Sequence, residues 1–220
     1  MSLNIEQARF NMIEQQVRTW SVLDQRVLGV LRSVPREDYV PSRYRRMAFA
    51  DLRVPLAMGQ VMMKPVEEGR MLQALDVQPG HSVLEIGTGS GFTAACMAAL
   101  GGEVLSVEIF PELADAAAAR LERLAVAQVE VRTADALATD FQPGREFDRV
   151  VVTASVASLP DRFAAWVRPG GRVFVVRGHS PAMEAVSLQR LSDGTWETDS
   201  LFETDLPRLV GAEDMPVFEF

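Results

Sequence analysis

The chain has 220 residues, of which 48% are hydrophobic and 24% charged, and this balance predicts a folded protein with a large core. The 30 acidic and 22 basic residues give a formal net charge of −8, which argues against nucleic acid as a partner. No apolar run approaches the ~20 residues that cross a bilayer, and no signal-peptide core stands at the N-terminus. We therefore expect a cytoplasmic protein that does not bind membranes. The single cysteine permits no internal disulfide, and the two histidines belong to no cluster with metal-ligand spacing, so no metal site is expected.

Residues 1–77 are predicted to form a helical extension that precedes the main domain. Helical spacing of apolar residues runs from Asn4 to about Leu31, and Asp24 is placed to cap a second helix. Two prolines then break the pattern, and a short helix is predicted at 43–50. A longer helix is predicted from 65 to 75, where the extension ends.

Between these helices, the segment from Leu52 to Pro65 is predicted to be an irregular loop of unusual apolar content. Three consecutive apolar side chains, Val61, Met62 and Met63, stand beside a lysine in this loop. Apolar loops either pack onto a core or cover a ligand. The segment is therefore a candidate lid.

The main domain, predicted at 78–220, begins with a strand, a glycine turn and a helix. An apolar run ends at Ile86, glycines follow at 87, 89 and 91, and a helix of small residues runs from Phe92 to about Leu100. A second strand ends at Glu108, 21 residues after Gly87, where a carboxylate can accept both ribose hydroxyls. The unit predicts a site for a nucleoside-bearing cofactor.

The spacing of the glycines allows two classes of cofactor. Counted from Gly89, the pattern Gly-x-Gly-x-x-Ala of nicotinamide enzymes ends at Ala94, but its first glycine then comes three residues after the strand instead of directly after it. The run from Glu85 to Gly91, Glu-x-Gly-x-Gly-x-Gly, resembles the S-adenosyl-L-methionine (SAM) site of Rossmann-like methyltransferases. That resemblance implies that the glycine turn faces the methionine portion and that Glu108 holds the ribose.

The remaining pattern predicts an α/β fold with a Rossmann-like, mostly parallel sheet. Strands at 129–132, 147–152 and 172–176 alternate with helices at 111–125 and 159–167, and a turn is expected at 169–171. Asp193-Gly194 predicts a hairpin, so the sheet is expected to finish with antiparallel strands. The acidic segment from Glu203 to Phe220, which includes Asp214 and Glu219, is interpreted as a solvated terminal extension.

Segments outside the glycine turn resemble one methyltransferase family, protein-L-isoaspartate O-methyltransferase, along residues of about 10 to 176. The matching stretches are 12–17, 24–28, 34–41, 48–51, 59–60, 84–91, 147–154 and 159–171. The resemblance implies a SAM-dependent enzyme that methylates the carboxylate of isoaspartyl residues in a protein or peptide substrate. It also implies that Asp135 and the following amide meet the adenine. The predicted cofactor-binding residues are Glu85, Gly87, Thr88, Gly89, Ser90, Gly91, Glu108, Ile109, Asp135 and Ala136.

The loop departs from the family pattern at the methyl-transfer centre. The family usually reads Gly-Gln-Thr-Ile-Ser-Gln-Pro, whereas this chain reads Gly-Gln-Val-Met-Met-Lys-Pro from 59 to 65. Met63 replaces the family's serine and can neither donate nor accept a strong hydrogen bond. Two interpretations stay open: the ammonium of Lys64 substitutes for the hydroxyl, or Lys64 faces solvent while the apolar residues pack.

The mechanistic hypothesis is that residues 59–65 close over the methyl group and that residues 153–155 form the opposite wall. Met63 and Lys64 occupy the positions of the family's active loop, and the predicted substrate-binding residues are Gln60, Val61, Met62, Thr153, Ala154 and Ser155. Three functions stay open. They are isoaspartyl methylation, methylation of another acceptor such as a small molecule, and SAM binding without catalysis.

Overall fold

The computed structural model describes residues 4–213. The α-helices are α1 (Ile5–Met12), α2 (Gln25–Ser33), α3 (Pro65–Leu75), α4 (Phe92–Ala99), α5 (Pro111–Arg123) and α6 (Asp161–Ala165). The strands are β1 (Val54–Pro55), β2 (Val61–Met62), β3 (Ser82–Ile86), β4 (Glu103–Glu108), β5 (Val129–Thr133), β6 (Phe147–Val156), β7 (Val167–His179), β8 (Ala182–Arg190) and β9 (Trp196–Thr204). A π-helical turn at 13–17 and 3-10 turns at 18–20, 36–38 and 42–47 complete the N-terminal extension.

The main sheet has seven strands in the order β5-β4-β3-β6-β7-β8-β9. The first five strands in this order, β5-β4-β3-β6-β7, pair in parallel. Strands β8 and β9 are added antiparallel and form a hairpin whose turn contains Asp193-Gly194. The predicted Rossmann-like class with antiparallel C-terminal strands is confirmed. Strand order reverses on the two sides of β3, and ligands bind at such a switch point beyond the carboxyl ends of the strands.

The sheet is covered on both faces, which explains the apolar runs of its central strands. Every residue of β3 is buried. Alternate residues of the strands enter two apolar clusters, one shared with the N-terminal helices and one with α6. Asp24 caps α2 as predicted, because its carboxylate accepts a hydrogen bond from the backbone N–H of Arg26 at 2.7 Å. The domain boundary after residue 77 stays a prediction.

Two local predictions differ from the structure. The loop at 52–65 is not wholly irregular, because Val54 pairs with Met62 and Pro55 with Val61 in a two-residue ladder too short to leave a periodic signal. The predicted helix at 159–167 is limited to Asp161–Ala165. Its last residue, Val167, joins β7 instead and pairs with Phe147, and the predicted turn at 169–171 lies inside this strand at a shift in register.

The C-terminal segment is also more ordered than predicted. Glu203 belongs to β9, Leu206 is buried, and Pro207 accepts a hydrogen bond from the backbone N–H of Ser155 at 2.9 Å. The segment therefore continues from β9 and packs against β6, and it is not simply a solvated extension. Asp214 and Glu219, which were assigned to the same extension, lie outside the described residues. Within residues 4–213, no helix combines the length and the apolar content that a membrane crossing requires.

Candidate active site

A cleft opens at the carboxyl ends of β3, β4 and β6 and is covered on one side by the loop that leads into α3. It has about 790 Å³ of empty space, including the solvent at its mouth. The lining combines residues from the glycine turn, the ends of the strands, the loop and the C-terminal segment. These are Leu56, Gln60, Val61, Met62, Met63, Glu68, Ile86, Gly87, Thr88, Gly89, Ser90, Thr93, Val107, Glu108, Ile109, Phe110, Ala134, Asp135, Ala136, Thr153, Ala154, Arg208, Leu209 and Val210.

The glycine turn needs its first glycine for two separate reasons. Gly87 has a φ of +99°, and an added Cβ would lie 2.3 Å from the hydroxyl oxygen of Thr153. The turn therefore passes against the end of β6 with no room for a side chain. Gly91 is required for packing instead, since its φ is +81° and a Cβ there would press on Ala117 of α5 at 3.3 Å. Gly91 shapes the turn but does not line the cleft.

Glu108 links the end of β4 to the glycine turn. One carboxylate oxygen accepts a hydrogen bond from the backbone N–H of Gly89 at 2.8 Å, and the other accepts one from the N–H of Phe110 at 3.2 Å. Each carboxylate oxygen can accept a second hydrogen bond, so capacity for two hydroxyl donors is left. Glu108 lines the cleft, and its geometry fits the predicted ribose contact.

A buried polar chain stiffens the turn from below. The hydroxyl of Ser106 donates to one oxygen of Glu85, and the hydroxyl of Thr88 lies 2.6 Å from that of Ser106. Burial raises the pKa of Glu85 to about 8, although the hydrogen bond from Ser106 opposes this shift. Glu85 is fully buried and does not line the cleft, so its contacts are those of a support for the turn.

Asp135 and Ala136 lie beyond the end of β5, on the side of the cleft next to Ile109. One carboxylate oxygen of Asp135 accepts a hydrogen bond from the backbone N–H of Leu137 at 2.8 Å. The backbone N–H of Ala134 donates to the carbonyl of Glu108 at 2.9 Å, which fixes this loop beside the end of β4. A carboxylate among small and apolar residues suits an adenine ring and its exocyclic amine.

At the opposite end of the cleft, one wall is apolar. On the other wall, the hydroxyl proton of Thr153 already makes a hydrogen bond within the protein. Val61, Met62 and Met63 line it, and both methionines are only 5% exposed. The hydroxyl of Thr153 donates to the carbonyl of Gly87 at 2.6 Å, so its proton is already used. This end therefore excludes water but offers few neutral hydrogen-bond donors.

A buried ion pair that the sequence analysis missed holds the loop in place. Arg36 and Glu68 pair with side chains that are 1% and 2% exposed. Arg36 also donates to the carbonyls of Met63 and Ala48, each at 2.8 Å. Burial raises the pKa of Glu68 to about 7, and the charge of Arg36 only partly offsets this effect. The signal available in the sequence was the acidic pair Glu67-Glu68 inside an otherwise apolar helix.

Besides Glu85 and Gly91, two predicted residues of the acceptor end are not brought to the cleft. Lys64 is the N-cap residue of α3, where its backbone N–H donates to Glu67 at 3.0 Å, and it is absent from the lining. Its ammonium has no hydrogen bond or ion pair within residues 4–213. Ser155 is completely buried, because the C-terminal segment covers it and its hydroxyl donates to the carbonyl of Leu206 at 2.8 Å. Of the other predicted substrate contacts, Gln60, Val61, Met62, Thr153 and Ala154 all line the cleft.

Comparisons with known proteins agree with this site. A sequence model of the family Protein-L-isoaspartate(D-aspartate) O-methyltransferase (PCMT) matches residues 7–212. The chain is 37% identical over 203 residues to a protein-L-isoaspartate O-methyltransferase of Rhodopseudomonas palustris, with 92% of this chain and 93% of the relative covered. It is 35% identical over 208 residues to another, of Magnetococcus marinus, with 94% and 90% covered.

A solved structure agrees at the level of the fold. A Plasmodium falciparum chain described as a protein-L-isoaspartate O-methyltransferase, in complex with S-adenosyl-L-homocysteine, superposes with a TM-score of 0.79. The alignment covers 94% of this chain and 99% of that one at 18% identity. The family match over nearly the whole chain confirms the resemblance found in the sequence, and we conclude that this chain belongs to the protein-L-isoaspartate O-methyltransferase family.

Proposed function

We propose that this protein transfers the methyl group of SAM to the free carboxylate of isoaspartyl residues in peptides and proteins. The observation that carries the proposal is the cleft itself. A glycine turn held by Glu108 faces an apolar loop across a space open to solvent, in a chain of this family.

The residues of the cleft fit the cofactor at three points. Gly87 and Gly89 line the cleft with main-chain atoms only, which suits the amino-acid end. Glu108 retains acceptor capacity for the ribose hydroxyls, and Asp135 with Ala136 suits the adenine. When bound, SAM supplies a methyl group on a positively charged sulfur.

The chain contributes alignment and exclusion of water rather than acid or base chemistry, since the acceptor carboxylate is already ionised. Holding two reacting groups in line can supply up to about 7–11 kcal/mol in favourable cases. Opposite charges cancel as the reaction proceeds, so the apolar wall of Val61, Met62 and Met63 favours the transition state over the separated ions. Arg36 fixes that wall through the Met63 carbonyl.

The test is a pair of peptides that differ only in an isoaspartyl or a normal aspartyl linkage, each incubated with radiolabelled SAM. We expect base-labile label, released as methanol, on the isoaspartyl peptide only. Equal labelling of both peptides, or labelling of neither, would contradict the proposal.

A second candidate, methylation of another acceptor, is favoured by one observation: no hydroxyl is present at positions 61 to 63 of the cleft wall. Calorimetry with S-adenosyl-L-homocysteine separates the remaining alternatives. Binding together with transfer to compounds of a cell extract, but not to isoaspartyl peptides, would support this second candidate. Binding without transfer to any acceptor would indicate a protein that binds SAM without catalysis.

A further inference from the structure

Glu67, in the first turn of α3, joins the two ends of the apolar loop at 52–65. One carboxylate oxygen accepts a hydrogen bond from the backbone N–H of Lys64, at the end of the loop, at 3.0 Å. The other oxygen accepts one from the guanidinium of Arg53, which directly precedes β1, at 2.8 Å. A single carboxylate therefore closes the loop at its base, and the ladder of β1 and β2 continues from there.

The same carboxylate also contacts the end of the C-terminal hairpin. The hydroxyl of Thr204, the last residue of β9, donates to the oxygen that Arg53 contacts, at 2.7 Å. Arg53 donates in turn to the Thr204 hydroxyl at 2.7 Å, so the three side chains form a triangle of hydrogen bonds. The side chain of Glu67 is only 4% exposed. Hydrogen bonds to a charged group that is shielded from water are strong, so the triangle is expected to be rigid.

This triangle lies at the base of two separate stretches of the cleft lining. Between the ends that Glu67 joins, the loop supplies Leu56, Gln60, Val61, Met62 and Met63. The segment that follows Thr204 supplies Arg208, Leu209 and Val210. Since Glu67 bonds to the origin of both stretches, their separation across the cleft depends on this one side chain.

Helix capping alone does not account for the contacts of Glu67. A carboxylate in the first turn of a helix commonly accepts a hydrogen bond from the N-cap N–H, and the bond from Lys64 is of this kind. The second oxygen takes no part in such a cap, and its donors lie 14 and 137 positions away in the sequence. A buried carboxylate also needs a compensating charge, which Arg53 supplies.

We propose that Glu67 is a positioning residue for methyl transfer, which holds the apolar loop and the C-terminal segment at the separation that the reacting groups require. The effect on turnover rests on the proposed function. Glu67 does not line the cleft, so it acts through the loop. A displacement of about 1 Å can cost about 100-fold in rate. The glycine turn and Glu108 belong to the sheet, so we expect the loss in kcat and not in cofactor affinity.

Glu67→Gln separates the two roles of the carboxylate. The amide keeps an acceptor oxygen for the helix cap, but its NH₂ group then faces the donors of Arg53 and Thr204. We expect kcat on the isoaspartyl peptide to fall by about tenfold or more, while the affinity for S-adenosyl-L-homocysteine changes by less than about threefold. Because the triangle acts as a unit, adding Thr204→Val to Glu67→Gln should lower kcat little further.

Substitution of the two donors tests the triangle without touching the helix cap. Arg53→Met and Thr204→Val should each lower kcat by about threefold or more. Thr198→Val, the same substitution at an exposed position of β9, is the matched control and should leave kcat unchanged. Asp24→Ala removes the cap of α2 and should lower Tm without lowering kcat. Unchanged kcat in both donor variants would show that Glu67 is only a helix cap and would overturn the inference.

Hydrogen exchange gives a readout that does not need turnover. Inside the loop, the backbone N–H of Leu56 donates to the carbonyl of Gln60 at 2.8 Å. In Glu67→Gln, the amides of residues 54–63 should exchange about tenfold faster, whereas those of β3 and β4 keep their protection. Unchanged exchange in the loop overturns the inference whatever the activity. If loop exchange rises but the wild type does not methylate the isoaspartyl peptide, the proposed function is wrong while the hold of Glu67 on the loop is supported.

Discussion

The carboxylate of Glu108 accepts a hydrogen bond from the backbone N–H of Gly89 at 2.8 Å, so the acid that ends β4 holds the turn that follows β3. The two strands are neighbours in the sheet, and Gly87 donates its N–H to the carbonyl of Val107 at 2.8 Å. The same side chain thus shapes the turn and lines the cleft. This explains why a glycine turn and an acid at this spacing predict a site better than the glycines alone.

Replacement of Glu108 is expected to weaken the cofactor site in two ways, because it removes both the support of the glycine turn and the carboxylate that lines the cleft. Glu108→Ala should weaken binding of S-adenosyl-L-homocysteine about 10- to 100-fold, because hydrogen bonds to a charged group contribute about 1.5–3 kcal/mol. Calorimetry measures the affinity. Glu103→Ala, at the exposed start of the same strand, is the control. An unchanged affinity in a folded Glu108→Ala protein would remove the ribose role.

The tight fit of Gly87 against Thr153 predicts that a side chain at position 87 would clash with the Thr153 hydroxyl, and that removal of this hydroxyl would relieve the clash. Gly87→Ala should destabilise the protein more than Gly144→Ala, because residue 144 has a similar positive φ of +85° but open space around it. Backbone strain alone costs about 1–3 kcal/mol. Thr153→Ala removes the clashing hydroxyl and should restore part of the stability lost in Gly87→Ala. Urea unfolding of the wild type, Gly87→Ala, Thr153→Ala and the double variant gives the coupling free energy between the two positions. Strictly additive losses of stability would show that no clash exists.

The lid role of the apolar loop is tested by removing its bulk. Met62→Ala and Met63→Ala should lower kcat by about tenfold or more, since misplacement of a reacting group by 1 Å can cost about 100-fold, while SAM affinity changes little. Met71→Ala removes the same side chain from a fully buried position of α3 outside the cleft. It should therefore lower stability without the same loss of turnover. Equal losses of turnover and SAM affinity in the loop variants would contradict the lid role.

Restoring a hydroxyl at the methyl-transfer centre is expected to raise activity. Met63→Ser together with Lys64→Gln should increase isoaspartyl turnover, by up to about tenfold to a hundredfold for a donor contributing 1.5–3 kcal/mol. Because Met63 lines the cleft and Lys64 does not, we expect Met63→Ser alone to account for most of the gain. Initial rates on isoaspartyl peptides measure it. An unchanged rate would show that the pocket differs from the family elsewhere.

The buried Glu85 predicts a loss of stability as the pH rises from about 4.5 to about 8. Its pKa is raised from 4.5 to about 8, so between these values the unfolded chain releases a proton that the folded protein retains. The free energy of unfolding therefore falls as the pH rises through this range. Glu85→Gln removes the effect, and its Tm should gain on that of the wild type by a few degrees between pH 5 and pH 9. Glu103→Gln, on an exposed site, should show no such trend, and parallel curves for Glu85→Gln and the wild type would refute the interpretation.

The sequence by itself determined the elements whose signals are local. The strand, glycine turn and helix from 82 to 99, the acid at 108 and the hairpin at Asp193-Gly194 all follow from backbone angles and short-range periodicity, which neighbouring residues specify. The lining of the cleft by Val61, Met62 and Met63 followed from the apolar content of one loop, and that by Gln60 from the family resemblance.

Only the tertiary structure decided which distant residues meet. Arg36 pairs with Glu68 across 32 positions, and the C-terminal segment covers Ser155 while bringing Arg208 to the cleft. No periodicity encodes such contacts, because they depend on which strands become neighbours and on which charged groups lose water together. The sequence therefore predicted the glycine turn, the acid at 108 and the apolar loop that line the cleft, whereas the buried ion pair and the course of the C-terminal segment depend on the closed fold.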